Sequence, residues 1–192
     1  MTPYNLSPLH KKISACSACA ARDCRFRPTL THIGSDDRVL ILGESPAKNG
    51  WRTSGRAWYK PNGEITASGK VLKKLLAQIG IVLEDLFFTE AAKCTPANAK
   101  RVKECVEKCR PFLAEQLKII RPRVIVPLGV HATKSLLSAP FKRFADVVGR
   151  AHATEFGIVI PIYHPSPISP AGYKKNVPIM GVILENISKA GG

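Results

Sequence analysis

Acidic residues and long apolar runs are both scarce in this chain of 192 residues. There are 14 Asp and Glu against 29 Lys and Arg, which leaves a formal charge of +15 at pH 7. This surplus exceeds what solubility requires and favours a polyanionic partner, with nucleic acid ahead of an acidic membrane surface, because no basic helix with a bulky apolar face stands out. No apolar run approaches the roughly 20 residues that cross a bilayer, so we expect no membrane segment.

Cysteine is sparse as well, since six residues are too few for a disulfide scaffold at this length. The first twenty residues lack the apolar core of a signal peptide, and neither a repeat nor a low-complexity linker divides the chain. A hydrophobic content of 45% is enough to build one core. We therefore expect one cytoplasmic, monomeric domain over residues 1–192, with an N-terminal arm that carries cysteines.

The positive charge is distributed along the chain instead of being gathered in a tail. Its clusters are Lys73-Lys74, 100–108, 118–123, Lys142-Arg143 and Lys174-Lys175. Any one of them is compatible with an ordinary solvated surface. A face that binds a nucleic-acid backbone therefore has to be assembled by folding.

Strand and helix patterns alternate along the sequence. Continuous apolar runs predict buried strands, and apolar residues at helical spacing predict helices. The predicted strands are 38–43, 86–91, 124–128 and 158–163, and the predicted helices are 68–79 with Ser68 as N-cap, 109–120 and 130–137. This order predicts a three-layer α/β/α sandwich around a mainly parallel four-stranded sheet, which binds ligands at the carboxyl ends of its strands.

Unusual polar residues follow three of the predicted strands. Gly43, Glu44 and Ser45 follow the first strand, Glu90 lies at the end of the second, and His164 directly follows the fourth. A lone histidine is most often structural, but its place after a strand and before Pro165-Ser166-Pro167 favours a functional role. Because parallel strands end at one edge of a sheet, we expect these residues to share one site.

The cysteines form a second pattern. Cys16 and Cys19 make a C-x2-C pair, Cys94 follows the second strand, and Cys105 and Cys109 lie one helical turn apart. Four thiolates from such segments suit either zinc or an iron–sulfur cluster, and the spacing does not separate the two. A catalytic dithiol is disfavoured, because the C-x2-C pair precedes all the strands instead of lying at a strand-to-helix turn.

Together, the early C-x2-C, the RVLILGESPA turn, the KC pair that ends FFTEAAKC, the segment from Lys93 to Gly129 and the late HPSP resemble the iron–sulfur (family 4) branch of the uracil-DNA glycosylase superfamily, over about residues 14–167. The resemblance implies an α/β enzyme that flips a base out of DNA and hydrolyses its glycosidic bond. It also implies a [4Fe–4S] cluster held by Cys16, Cys19, Cys94 and Cys109, with Cys24 and Cys105 spare. Because these ligands would connect the N-terminal arm to the fold, we expect a structural role for the cluster, and the sequence leaves a redox role open.

The resemblance further implies roles for residues at matching positions. His164 matches a histidine that donates a hydrogen bond to the base O2, which stabilises the departing anion. Trp58 stands where an aromatic ring stacks on the base, with Tyr59 as second choice. The cradle for the base and a water would consist of Gly43, Glu44 and Ser45.

The DNA backbone would be held on the loop after His164. Ser166 and nearby amides would bind phosphate, and Lys174 and Lys175 would add charge. Ile168 or Tyr173 would fill the space that the flipped nucleotide leaves.

Departures from the family pattern affect the substrate. Glu90 replaces an Asn whose amide accepts from uracil N3–H and donates to O4. An ionised carboxylate would accept from N3–H but repel O4, whereas it suits the amine of cytosine and, when protonated, donates to cytosine N3. Ser45 is not a carboxylate, which leaves Glu44 and Glu90 as candidates to activate water. The basic and aromatic segment 48–68 would reshape the mouth of the pocket.

Three hypotheses follow from these residues. The first is a uracil-DNA glycosylase of DNA repair. The second is a glycosylase for a modified cytosine, such as glucosylated 5-hydroxymethylcytosine, that acts in antiviral defence against phage. The third is a non-catalytic iron–sulfur module that only binds nucleic acid.

Overall fold

The computed structural model describes residues 4–23, 28–47, 49–169 and 172–189. Helices and strands alternate along most of this length, as the sequence patterns predict. In chain order the elements are α1 (Ser7–Ala15), β1 (Asp36–Gly43), α2 (Trp51–Ser54), α3 (Ala67–Ala77), β2 (Leu86–Glu90), α4 (Val102–Ile120), β3 (Val124–Pro127), α5 (Val130–Lys134), β4 (His152–Thr154), β5 (Gly157–Val159) and α6 (Val177–Lys189). None of the helices in these described ranges has the length and apolar character needed to cross a membrane.

The sheet has the strand order β2-β1-β3-β5-β4. All neighbours are parallel except β4, which runs antiparallel to β5. The mainly parallel sheet is therefore confirmed, but the strand number of four is wrong. The fifth strand, β4, forms a hairpin with β5 at the sheet edge, where its three residues are too few to produce a recognisable apolar run.

Helices cover both faces of this sheet. Alternate residues of β1 point to opposite faces, so that Leu40 and Leu42 pack with α1, α4 and α5, while Val39 and Ile41 pack with α3 and α6. Each face thus has its own apolar core. The predicted three-layer sandwich is confirmed.

Most boundaries lie within two residues of the predicted ones, but α4, α5 and β5 differ by more. Helix α5 ends at Lys134 instead of residue 137, and β5 ends at Val159 instead of residue 163, so His164 does not directly follow a strand, although a parallel bridge between Leu128 and Ile162 continues toward it. Thr66, not Ser68, caps α3, because its side-chain oxygen accepts a hydrogen bond from the Gly69 amide. Helix α4 begins at Val102 instead of residue 109 and carries Pro111 in its interior. Proline is most common in the first turn of a helix, so Pro111 favours a later start than the structure has. Helices α1, α2 and α6 were not predicted.

Candidate active site

A cavity of about 920 Å³ opens at the carboxyl ends of β1, β2 and β3. In the sheet register Gly43 lies beside Glu90 and Leu42 beside Pro127, so the strand ends form one level edge. Both glutamates of the predicted site, Glu44 and Glu90, line this cavity together with His164. The topology thus brings the three predicted turns together.

The turn after β1 is anchored to the end of β2. The amide of Ala91 donates to the Gly43 carbonyl and that of Ala92 donates to the Glu44 carbonyl, both at 2.9 Å. Glu44 and Ser45 are half-buried and both line the cavity. The turn is therefore a fixed wall of the cavity.

Glu90 is only 6% exposed and its carboxyl group lies directly against Gly43. A Cβ atom at Gly43 would approach Glu90 Oε2 to 2.1 Å, so only glycine leaves room for this side chain. Within the described residues Oε2 has no hydrogen-bond partner. Burial, and to a smaller extent the charge of Glu44, raise the pKa of Glu90 to about 8, although Lys93 opposes the shift. The carboxyl group is consequently neutral at pH 7 and carries one donor and one acceptor.

Aromatic rings form one side of the cavity. Trp58 and Trp51 both pack on Phe88, with ring centroids 4.6 Å and 4.9 Å apart, and all three residues line the cavity. Trp58 has a φ of 68°, which is unfavourable for a bulky side chain and is typical of a residue held in place for function. Tyr59 does not line the cavity, because its hydroxyl donates to Glu84 Oε1 at 2.7 Å.

His164 lines the cavity, and part of the residue stays accessible to solvent. The part of its side chain that is buried in the cavity wall is desolvated, which lowers the pKa of His164. The ring is therefore neutral at neutral pH and has one N–H to donate. That chemistry fits a hydrogen bond to an oxygen on which negative charge develops.

The loop after His164 presents the predicted DNA contacts. Ile168 is 92% exposed, whereas the Tyr173 hydroxyl accepts a hydrogen bond from Gln78, the C-cap residue of α3, so Ile168 has the freer side chain of the two. Ser166 is half-buried, and its hydroxyl accepts a hydrogen bond from the Ile168 amide. Lys174 and Lys175 are both exposed.

Five cysteines lie close together, and they come from the N-terminal arm, the turn after β2 and helix α4. Cys19, Cys94, Cys105 and Cys109 are buried and Cys16 is half-buried, and none of these forms a disulfide. The Sγ atoms of Cys19 and Cys105 are 3.3 Å apart. Burial and neighbouring thiols raise the pKa of Cys94 to about 11. In the part of the chain that the structure describes, no three His, Cys, Asp or Glu side chains are arranged to hold a single metal ion. Cys24 lies outside the described residues.

Lys93 connects the cysteines to the cavity, and sequence reasoning missed it. Its side chain is 1% exposed, and Nζ donates to Thr89 Oγ1 at 2.9 Å and to the Glu90 carbonyl at 2.5 Å. Its amide donates to Cys109 Sγ at 3.3 Å. Phe88 was missed as well, although its position two residues before Glu90 places both on one face of β2.

Comparisons with known proteins agree with this geometry. The family model described as the uracil DNA glycosylase superfamily matches residues 31–186, which include all three turns of the site. The type-4 uracil-DNA glycosylase of Archaeoglobus fulgidus is 32% identical over 177 residues, 85% of this chain and 83% of that protein. The type-4 enzyme of Thermotoga maritima is 29% identical over 182 residues, 94% of this chain and 90% of that protein. The chain therefore belongs to the uracil DNA glycosylase superfamily.

Proposed function

We propose that this chain is a DNA glycosylase that flips a pyrimidine nucleotide into the cavity and hydrolyses its N-glycosidic bond, with uracil as the base. The observation that carries the proposal is the cavity at the strand ends, where a stacking ring, a neutral histidine and a neutral carboxyl group meet. The relatives named type-4 uracil-DNA glycosylases support uracil as the substrate.

The neutral form of Glu90 removes the conflict with uracil that an ionised carboxylate creates. Its carbonyl oxygen would accept from N3–H and its hydroxyl would donate to O4, which is the pattern that an amide side chain offers. Trp58 would stack on the face of the base. Recognition of uracil therefore depends on the proton that burial keeps on Glu90.

Hydrolysis needs a leaving base and a water molecule. As the C1′–N1 bond lengthens, His164 would donate its N–H to O2 and stabilise the negative charge on the pyrimidine. Glu44, which lines the same cavity, would orient the water that attacks C1′ and accept its proton. The products are a free base, which takes up a proton, and an abasic site, and the strand is not cut, so the enzyme is monofunctional.

A modified cytosine is the second candidate substrate. The protonated Glu90 also matches cytosine, since it accepts from the exocyclic amine and donates to N3. The cavity, at about 920 Å³, is at the upper end of the range for ligand pockets and is much larger than a pyrimidine ring, which leaves room for a substituent such as glucose. Such an enzyme would act in defence against phage whose DNA carries this base.

Base release by the purified protein tests these candidates. We expect alkali-labile abasic sites in oligonucleotides that contain uracil, and the parallel substrates carry cytosine, 5-hydroxymethylcytosine or its glucosylated form. Release confined to a modified cytosine would show that the second candidate is the substrate in place of uracil. High release of uracil that decreases in Glu90→Asn would exclude the modified cytosine as the substrate. If no base is released from any substrate, the result would support the third hypothesis, a non-catalytic module that only binds nucleic acid.

We also propose that Cys16, Cys19, Cys94 and Cys109 hold a [4Fe–4S] cluster. The thiols fit this group because they are free and largely buried, and because a cluster takes one thiolate on each iron and does not require the four to meet at one ion. When bound, the cluster would cross-link the N-terminal arm to β2 and α4. Cytoplasmic location and a monomeric state remain predictions.

Cysteine variants test the ligand set. Cys109→Ser is expected to lose most of the iron and the brown colour, because it removes a ligand, while Cys105→Ser is expected to keep both. The measurement is iron content and visible absorbance after anaerobic purification. Colourless wild-type protein with bound zinc, or loss of iron in Cys105→Ser, would contradict the assignment.

A further inference from the structure

Three aromatic rings extend from the cavity along the protein surface. Phe144 and Tyr163 line the cavity and meet edge to face, with ring centroids 5.6 Å apart. Phe141, which is not a lining residue, continues the row at 6.2 Å from Phe144. We call Phe141, Phe144 and Tyr163 the aromatic shelf.

The aromatic shelf is not part of the protein core. Its three rings are half-buried, and none of them belongs to the apolar clusters on the two faces of the sheet. Phe141 and Phe144 lie in the segment between α5 and β4, which forms neither a strand nor an α-helix. Rings that do not fill a core and remain partly open are available to stack on a ligand.

Cations flank the aromatic shelf on both sides. Lys134 Nζ lies 5.5 Å from the centroid of Phe141, and Lys175 Nζ lies 5.5 Å from that of Tyr163. Lys142 is exposed beside Phe141, whereas Arg143 is paired with Asp146 at 2.9 Å. The lysines would bind the phosphates of a nucleic-acid strand, and the apolar faces of the rings between them would contact its bases.

We propose that the aromatic shelf binds single-stranded DNA by stacking on bases next to the flipped nucleotide. The proposal rests on the proposed function, because the strand is taken to enter from the cavity that Phe144 and Tyr163 line. Stacking needs an open base face, which a paired and stacked base in a duplex does not offer. The lysines favour a strand of phosphates over an apolar peptide.

The test compares two probes of equal length and charge: single-stranded oligothymidylate and an oligomer of abasic spacers. Wild-type protein is expected to bind oligothymidylate more tightly, as measured by fluorescence anisotropy. Phe141→Leu should weaken that binding about fivefold, the lower end of what one stacked base contributes, and leave the Kd for the abasic oligomer unchanged. Phe156→Leu is the matched control and should change neither Kd. Phe156 is also half-buried, but it packs against the apolar core that contains Leu40 and Leu42 and does not belong to the aromatic shelf.

Charge and stacking are separated by a second variant. Lys142→Gln should weaken binding to both probes and reduce the salt dependence, because it removes a phosphate contact and leaves the rings in place. Equal binding of both probes by the wild-type protein, or an equal loss on both probes in Phe141→Leu, would overturn the proposal. Neither probe carries a target base, so failure here is independent of base release, which is measured separately on uracil-containing DNA.

Discussion

Replacement of His164 by alanine is expected to lower the rate of base release by about 100- to 1000-fold, the usual cost of removing one donor that stabilises a developing oxyanion. The ring lines the cavity, and its lowered pKa leaves it neutral with a single N–H to donate. Alanine leaves the departing pyrimidine without this donor at the point where its negative charge is greatest. Single-turnover base release at saturating enzyme measures the effect without product release.

A remote histidine controls for the substitution. His152 lies on β4 at the far edge of the sheet, where its Nε2 is 2.9 Å from the Val147 carbonyl oxygen, and His152→Ala should keep the base-release rate. His164→Gln retains a side-chain N–H donor and should recover part of the loss. A His164→Ala protein that folds normally and releases base at the wild-type rate would remove His164 from the mechanism.

The position of the active site could be predicted from the sequence because it depends on topology. Parallel strands end at one edge, so an apolar run before Gly43, another before Glu90 and a third before His164 are enough to place these residues together. The same reasoning fails for Trp58 and Tyr59. They are adjacent aromatic residues, and only the backbone, with its positive φ at Trp58 and the bond from Tyr59 to Glu84, determines which ring faces the cavity.

Burial that depends on residues distant in the chain could not be predicted from the sequence either. The raised pKa of Glu90 depends first on burial of its carboxyl group and then on the charge of the nearby Glu44. Phe141 and Phe144 lie in a segment without periodicity, so nothing local marks them as a surface row. Sequence patterns reveal regular elements and their ends, whereas the chemistry of a buried group follows from neighbours that are distant in the chain.

Lys93 links the proposed cluster site to the proposed base pocket. Its Nζ donates to Thr89 Oγ1 and to the Glu90 carbonyl at the end of β2, while its amide donates to Cys109 Sγ. Thr29 adds two hydrogen bonds to the Lys93 carbonyl, at 2.7 Å and 3.1 Å. The segment that carries Glu90 is thus held by the sheet on one side and by contacts with Thr29 and Cys109 on the other. If Cys109 binds the proposed cluster, we expect loss of the cluster to disturb the position of Glu90.

Substitution of Glu90 by glutamine is expected to remove the alkaline limb of uracil release. In the natural protein the carboxyl group ionises as the pH rises through about 8, loses its donor and repels O4, so the rate should fall up to about tenfold per pH unit above that value. Glutamine presents a donor and an acceptor at every pH. Its rate should stay level until uracil itself loses its N3 proton, and Glu115→Gln, on the exposed face of α4, should keep the wild-type profile.

Stability measurements on the same variant give an independent reading of the Glu90 proton. The folded-state pKa of about 8 lies above the ordinary value of 4.5, so between these two pH values the folded protein holds a proton that the unfolded chain releases. The contribution of Glu90 is therefore most favourable at acid pH and is lost as the pH rises through this window. At pH 7 the cost is up to about 3 kcal/mol, so Glu90→Gln should raise Tm by several degrees there and by much less at pH 5. An equal Tm difference at both pH values, together with an unchanged alkaline limb, would mean that Glu90 is ionised in the folded protein and recognises its base as a carboxylate.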